Sequence, residues 1–322
     1  MRSRTCVIGL GLIGGSLLRA LSAAGHPVSG YDASPDVRSL ARTASAKWRI
    51  AETIAEAVAD AGIVILAVPL PALPAVLDGI AAAGYRELLS DVTSVKEPVR
   101  ELVAERVPQL RYVGGHPMAG KETSGFAAGD PDLFTGCAWA LTLEPDIGPG
   151  QLDDWLSMAA LVTGLGARVV PVSPGEHDAA VALISHLPHL AASGIAALAD
   201  TGLAATLAAG SYRDGTRVAG SRPDLVAAMC GGNAAALGPV LDRFIARLTE
   251  ARRLLDKPDP VQALTRWLGD GHQARTRWPP HQGPASELPV SAEELLRTGR
   301  DGGWVTEVAA DRRTVIAVRP LS

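Results

Sequence analysis

A short apolar run, Cys6-Val7-Ile8, leads straight into Gly9-Leu10-Gly11-Leu12-Ile13-Gly14 and from there into a helix-like stretch. In that setting the three glycines do different things. The first makes a tight turn, the second lets backbone approach a pyrophosphate, and the third allows close helix packing. The helix N-terminus then faces the phosphates with its free N–H groups. Glycines alone could merely shape a turn in a domain that binds nothing. Here Asp32 closes the next apolar run, about 20 residues on, where a carboxylate can accept hydrogen bonds from a ribose 2′-hydroxyl. The same carboxylate repels a 2′-phosphate, so NAD is the expected cofactor. Its expected contacts are Gly9, Gly11, Leu12, Ile13, Gly14 and Asp32, with Val68 and Pro69 as a wall after a later strand. The prolines there could equally just end that strand.

Apolar runs at 28–31, 63–68, 88–90, 112–113, 138–143 and 167–172 alternate with helical stretches such as 73–83, 95–107 and 152–163. Strands apolar on both faces and separated by helices predict an α/β fold, a doubly wound parallel-sheet Rossmann domain over residues 1–172. Beyond Ser173 the strand signals stop. Residues 173–255 read as an all-helical domain rich in Ala and Leu, apolar on nearly every side, and such helices must be buried. So much apolar helix lacks partner surface within one chain, which predicts a homodimer through this domain. Residues 256–322 read as a short mixed C-terminal tail of unassigned role: a helix at 261–268, a proline-rich loop at 278–289, a short helix at 292–297, and a hairpin of 304–308 with 314–318. A length of 322 residues agrees with more than one domain, and 47% apolar with 20% charged residues excludes a disordered or fibrous chain.

A formal net charge of −4 with no run of like charges gives no basis for a nucleic-acid partner or a polybasic membrane patch. A small acidic substrate is still compatible, since local cations decide that. Cys6, Cys137 and Cys230 show no metal-ligand spacing and read as reduced core residues. The most apolar stretch, 183–199, is interrupted by His186, Pro188 and His189, so no membrane span is expected and the default compartment is the cytoplasm.

Ligands of open α/β sheets bind beyond the carboxyl ends of the strands. Two loops there carry chemistry. One is Asp91-Val92-Thr93-Ser94-Val95-Lys96, where Ser94 is either a site residue or the N-cap of the next helix. The other is Gly114-Gly115-His116-Pro117-Met118-Ala119-Gly120-Lys121-Glu122, a glycine-dense loop costly to order unless it holds something. Together with His177-Asp178, Ser185-His186-Leu187-Pro188-His189 and Arg213-Asp214-x-Thr216-Arg217, these motifs resemble the prephenate/arogenate dehydrogenase family of tyrosine biosynthesis, in order over residues 5–248.

The resemblance implies an oxidative decarboxylation: a ring carbon bearing a hydroxyl gives hydride to the nicotinamide, while the quaternary ring carbon loses carbon dioxide and the ring becomes aromatic. It assigns His116 as the group accepting the hydroxyl proton, with Ser94 helping to orient it, and histidine suits this role because it is mostly neutral at pH 7. A histidine kept only for packing beside Pro117 is the competing reading. Arg217 matches the arginine that binds a substrate carboxylate, which a guanidinium can do with two parallel donors, and His189 is placed at the substrate pocket. Arg213 is expected to be a solvated charge, and His177 to be structural. His186 and His189 lie three apart but lack an acidic partner, so no metal is expected. Lys121 would favour the pyruvyl side chain of prephenate and Glu122 the amine of arogenate, which leaves the preference open. The expected activity is NAD-dependent oxidation of the dianion prephenate. Arogenate or an amino-substituted prephenate is the alternative substrate, a hydroxyacid dehydrogenase or a non-catalytic NAD-sensing regulator a different class. The segment after Leu288 resembles a fragment of a regulatory amino-acid-binding domain, but too few residues remain to complete one.

Overall fold

The computed structural model describes residues 4–199 and 201–321. Six strands form a parallel sheet: β1 (Arg4–Ile8), β2 (Val28–Tyr31), β3 (Arg49–Ile50), β4 (Ala61–Leu66), β5 (Leu88–Asp91) and β6 (Arg111–Val113), in the order β3-β2-β1-β4-β5-β6. That order reverses at β1, the hallmark of the doubly wound fold. Between the strands run α1 (Leu12–Ala23), α2 (Pro35–Ala44), α3 (Ile54–Val58), α4 (Leu73–Ala82) and α5 (Glu97–Arg106). The central strand is apolar on both faces because helices cover both. Val7 joins Leu17, Leu18 and Leu21 of α1 in one core, while Cys6 and Ile8 join Leu73, Leu77 and Ile80 of α4 in the other. Burial pushes the Cys6 thiol up to about 12, so it is inert packing.

The runs at 138–143 and 167–172 do not extend this sheet as the sequence suggested. At Gly114 the chain leaves β6 and enters a second, mixed sheet built from β7 (Gly115–Pro117), β8 (Ala138–Thr142), β9 (Arg168–Val172), β10 (Gln282–Pro289), β11 (Trp304–Val308) and β12 (Thr314–Pro320), in the order β10-β12-β11-β9-β8-β7. β8 and β9 are parallel and joined by α6 (Pro149–Thr163), so they have the sequence signature of one more Rossmann unit. The expected hairpin is present as antiparallel β11 and β12, but it is no appendage: Val305 pairs with Val169 of β9. Leu295 and Leu296 of α14 (Ala292–Arg300) are buried in the same core as Trp155 of α6.

By contact the chain divides into two units, Met1–Asp178 with Pro284–Arg319, and Ala179–Gly283 with Pro320–Ser322. The tail expected over 256–322 as one appendage is therefore split between them, because its strands complete the second sheet. The helical region runs through α7 (Pro174–Val181), a π-helical turn at Ala182–His186, α8 (Leu187–Leu198), α9 (Gly202–Leu207), α10 (Gly210–Thr216), α11 (Pro223–Gly232), α12 (Ala234–Leu254) and α13 (Pro260–Thr276). Pro188 does not interrupt the run from α7 to α8 as expected from sequence. It sits in the first turn of α8, just after the π turn, where its missing N–H costs little. As a result Pro174–Leu198 is, by length and composition, apolar enough to cross a membrane, yet only 22% of an 18-residue apolar stretch within it is buried within the chain.

Candidate active site

The nucleotide turn has the geometry its glycines imply. Gly9 sits at φ 93°, and a Cβ there would lie 2.5 Å from the Ala67 carbonyl oxygen. A Cβ on Gly14 would meet the Gly9 oxygen at 1.8 Å, so α1 packs on the turn only because nothing is there. Gly11 faces open space, and no side chain caps the N-terminus of α1. Asp32 lies just past β2. Its Oδ2 accepts the Leu10 N–H at 2.7 Å and its Oδ1 that of Ser34 at 2.9 Å, which ties the carboxylate to the glycine turn and leaves each oxygen a further acceptor site. Arg38 of α2 donates to the Asp32 and Ala33 carbonyl oxygens and pairs with Glu52. Val68 packs against Gly9, whereas Pro69 is exposed.

His116 is half-buried in β7, two residues beyond the crossing between the sheets. Its Nδ1 is 2.9 Å from His177 Nε2, and His177 Nδ1 is 2.7 Å from Asp178 Oδ1. Asp178 also accepts the N–H groups of Lys96 at 2.8 Å and Glu97 at 2.9 Å, at the start of α5. That arrangement settles the local role of Ser94 in the helix: α5 begins at Glu97, its N-terminus is satisfied by Asp178, and Ser94 is not its cap. Ser94 lies half-buried on the loop after β5.

Beneath His116 lies a buried ionic cluster. Lys96 Nζ donates to Asp91 Oδ2 and to the Gly115 carbonyl oxygen. Asp91 Oδ1 accepts from the Tyr112 hydroxyl at 2.8 Å and the Gly115 N–H at 3.1 Å. Burial pulls the Lys96 ammonium down, opposed by Asp91 and Asp178, and burial beside Asp91 holds Tyr112 well above its ordinary value. Both backbone groups of Gly115 are thereby pinned, which fixes the residue before His116.

Lys121 and Glu122 lie on the exposed loop after β7, where Lys121 Nζ pairs with Asp130 at 2.7 Å. In the second unit His189 of α8 lies close to Arg217. Burial and the Arg217 cation keep its ring below the usual histidine range, against a hydrogen bond to the Val218 backbone. Arg217 itself is exposed, and Arg213 is a solvated charge beside Asp214 as expected.

Residues 17–171 match the model of the prephenate dehydrogenase nucleotide-binding domain, and residues 173–270 that of the prephenate dehydrogenase dimerization domain. The chain belongs to the prephenate dehydrogenase family. A cyclohexadienyl dehydrogenase of Zymomonas mobilis is 37% identical over 263 residues, 79% of this chain and 88% of the relative. Among solved structures, a candidate prephenate dehydrogenase of Corynebacterium glutamicum is 39% identical with a TM-score of 0.79, covering 86% of this chain and 89% of that one. An arogenate dehydrogenase of Synechocystis is 27% identical with a TM-score of 0.73, covering 85% and 99%.

For this family member, the sequence pointed to His116 but gave no role to Asp91, Lys96, Tyr112 or Asp178. Asp91 and Lys96 carried the available signal, standing five apart in the one motif Asp91-x-x-Ser94-x-Lys96; a lysine that is buried must be paired. Its partners become visible only when β5, β6 and β7 are set side by side.

Proposed function

We propose that the protein is an NAD-dependent prephenate dehydrogenase, oxidatively decarboxylating prephenate to 4-hydroxyphenylpyruvate as a homodimer. The observation that carries the reading is the match to both family domains in order, with His116 held by His177 at its Nδ1. The residues present fit the cofactor: an uncapped helix N-terminus, open space at Gly11, and a carboxylate at Asp32 with acceptor sites to spare. When bound, NAD accepts the hydride from the ring carbon that bears the hydroxyl. His116 Nε2 takes the hydroxyl proton as that C–H bond breaks, so the oxygen becomes a carbonyl. The electron pair of the C–CO2 bond then moves into the ring, carbon dioxide leaves, and His116 returns the proton to the phenolate. Ser94 helps orient the hydroxyl, and Arg217, with His189 beside it, supplies a cation for a substrate carboxylate.

A second reading, arogenate as substrate, is favoured by one detail. Lys121 is committed to Asp130, while the exposed Glu122 carboxylate has no ion pair among the described residues and would suit an amine. The relative named cyclohexadienyl dehydrogenase and the neighbour named arogenate dehydrogenase also support it. Assays with prephenate and arogenate, each with NAD and NADP, separate the two. Prephenate with NAD is expected to give the highest kcat/KM; a preference for arogenate overturns the first reading in favour of the second.

The homodimer rests on the dimerization-domain match and on apolar side chains left exposed in the second unit, among them Ile184, Leu198, Leu203 and Leu207.

A further inference from the structure

The contacts around Asp178 set the direction of the hydrogen bond between His177 and His116. An ionised carboxylate only accepts, and this one already takes two backbone N–H groups, from Lys96 and Glu97. Burial opposes its charge, but the His177 ring and those N–H groups outweigh it and hold the Asp178 carboxyl below its ordinary range. His177 must therefore donate from Nδ1, across the 2.7 Å contact. His177 is 3% exposed. Its burial, aided by the Lys96 cation, keeps the ring below the usual histidine value although Asp178 and Asp91 pull the other way, so the ring is neutral at pH 7 and has a single N–H. With that N–H given to Asp178, Nε2 is an acceptor. His116 Nδ1, 2.9 Å away, is then the donor.

We propose that His177, backed by Asp178, is a positioning residue that locks His116 in its Nδ1–H tautomer, so that Nε2 carries the lone pair that takes the substrate's hydroxyl proton. The proposal rests on the reading of His116 as the base of the dehydrogenation, although the tautomer itself does not. As the substrate O–H bond breaks, an N–H bond forms at Nε2. The imidazolium keeps its Nδ1–H on His177, and the Asp178 carboxylate faces the new charge through that ring. The logic is that of an acid-backed base in which the third group orients and stabilises without taking the proton.

The test joins ring 15N chemical shifts of His116 with steady-state kinetics of His177→Leu and His177→Gln. In the wild-type protein the neutral His116 ring is expected to be protonated at Nδ1. His177→Leu, folded by circular dichroism, is expected to lose about 10²-fold in kcat, the scale of a misaligned proton transfer, with KM and NAD affinity within about twofold. His177→Gln can accept from His116 through its amide oxygen and donate to Asp178 through its amide nitrogen, and is expected to regain about tenfold of the loss. A wild-type His116 protonated at Nε2, or a His177→Gln no better than His177→Leu, overturns the proposal. If the wild-type protein turns over neither prephenate nor arogenate, the functional reading fails, and the ring shifts still decide the tautomer.

Discussion

At the scale of single residues the site depends on charges that water does not reach. Lys96 and Asp91 are fully buried against each other, and removing one leaves the other uncompensated. Lys96→Met is expected to cost about 3–5 kcal/mol of stability, measured by denaturant unfolding, because Asp91 keeps its charge and Gly115 loses its anchor. A cost below about 1 kcal/mol would show that the pair does not hold the site together. The depressed His177 value gives a pH signature with a definite sign. Between the lowered folded value and the ordinary 6.5 the unfolded chain binds more protons, so stability is full above about 6.5 and is lost as pH falls through that window. Asp178, lowered from 3.8, adds a loss of the same sign at more acid pH. Calorimetric midpoints are expected to fall below about pH 6.5, and more shallowly in His177→Leu; identical slopes would contradict the assignment. The glycine turn and Asp32 were legible in the sequence because their chemistry is written in local spacing, whereas His116 was singled out by the resemblance of its glycine-rich motif to a known family. The cluster of Lys96, Asp91, Tyr112 and Asp178 was not legible, since its members are up to 87 positions apart in the numbering and meet only through sheet pairing.

At the scale of elements, the alternation of strands and helices was readable, but the sheet each strand joins was not. β8-α6-β9 has the pattern of a Rossmann unit, and only the two glycines at 114 and 115 mark the point where the chain changes sheet. That change places His116 on β7, the edge strand of the second sheet, paired with Ala140 of β8. The tail helix α14 is part of the same construction. A Cβ at Gly299 would lie 1.8 Å from the Pro171 carbonyl oxygen of β9, so backbone touches backbone there. Gly299→Ala must push α14 off the sheet and is expected to cost about 1–3 kcal/mol, the range of overpacking, visible as a lower unfolding midpoint. A neutral outcome would mean that the tail is only loosely attached.

At the scale of the whole molecule, the helical unit leaves Ile184, Ile195, Leu198, Leu203 and Leu207 exposed, and such apolar helices are expected from the sequence to pack against a second copy. Sedimentation velocity is expected to give twice the mass of one chain at micromolar concentration, and a stable monomer would rule out the homodimer. Above all, this family member is held to oxidise prephenate with His116 as its base. The most direct test is NADH formation from prephenate by the wild-type protein and by His116→Asn, with NAD affinity measured on both. Turnover is expected from the wild type, and a loss of about 10²–10⁴-fold in kcat from the variant, with NAD affinity unchanged. Full activity in His116→Asn would contradict the assignment of His116 as the base.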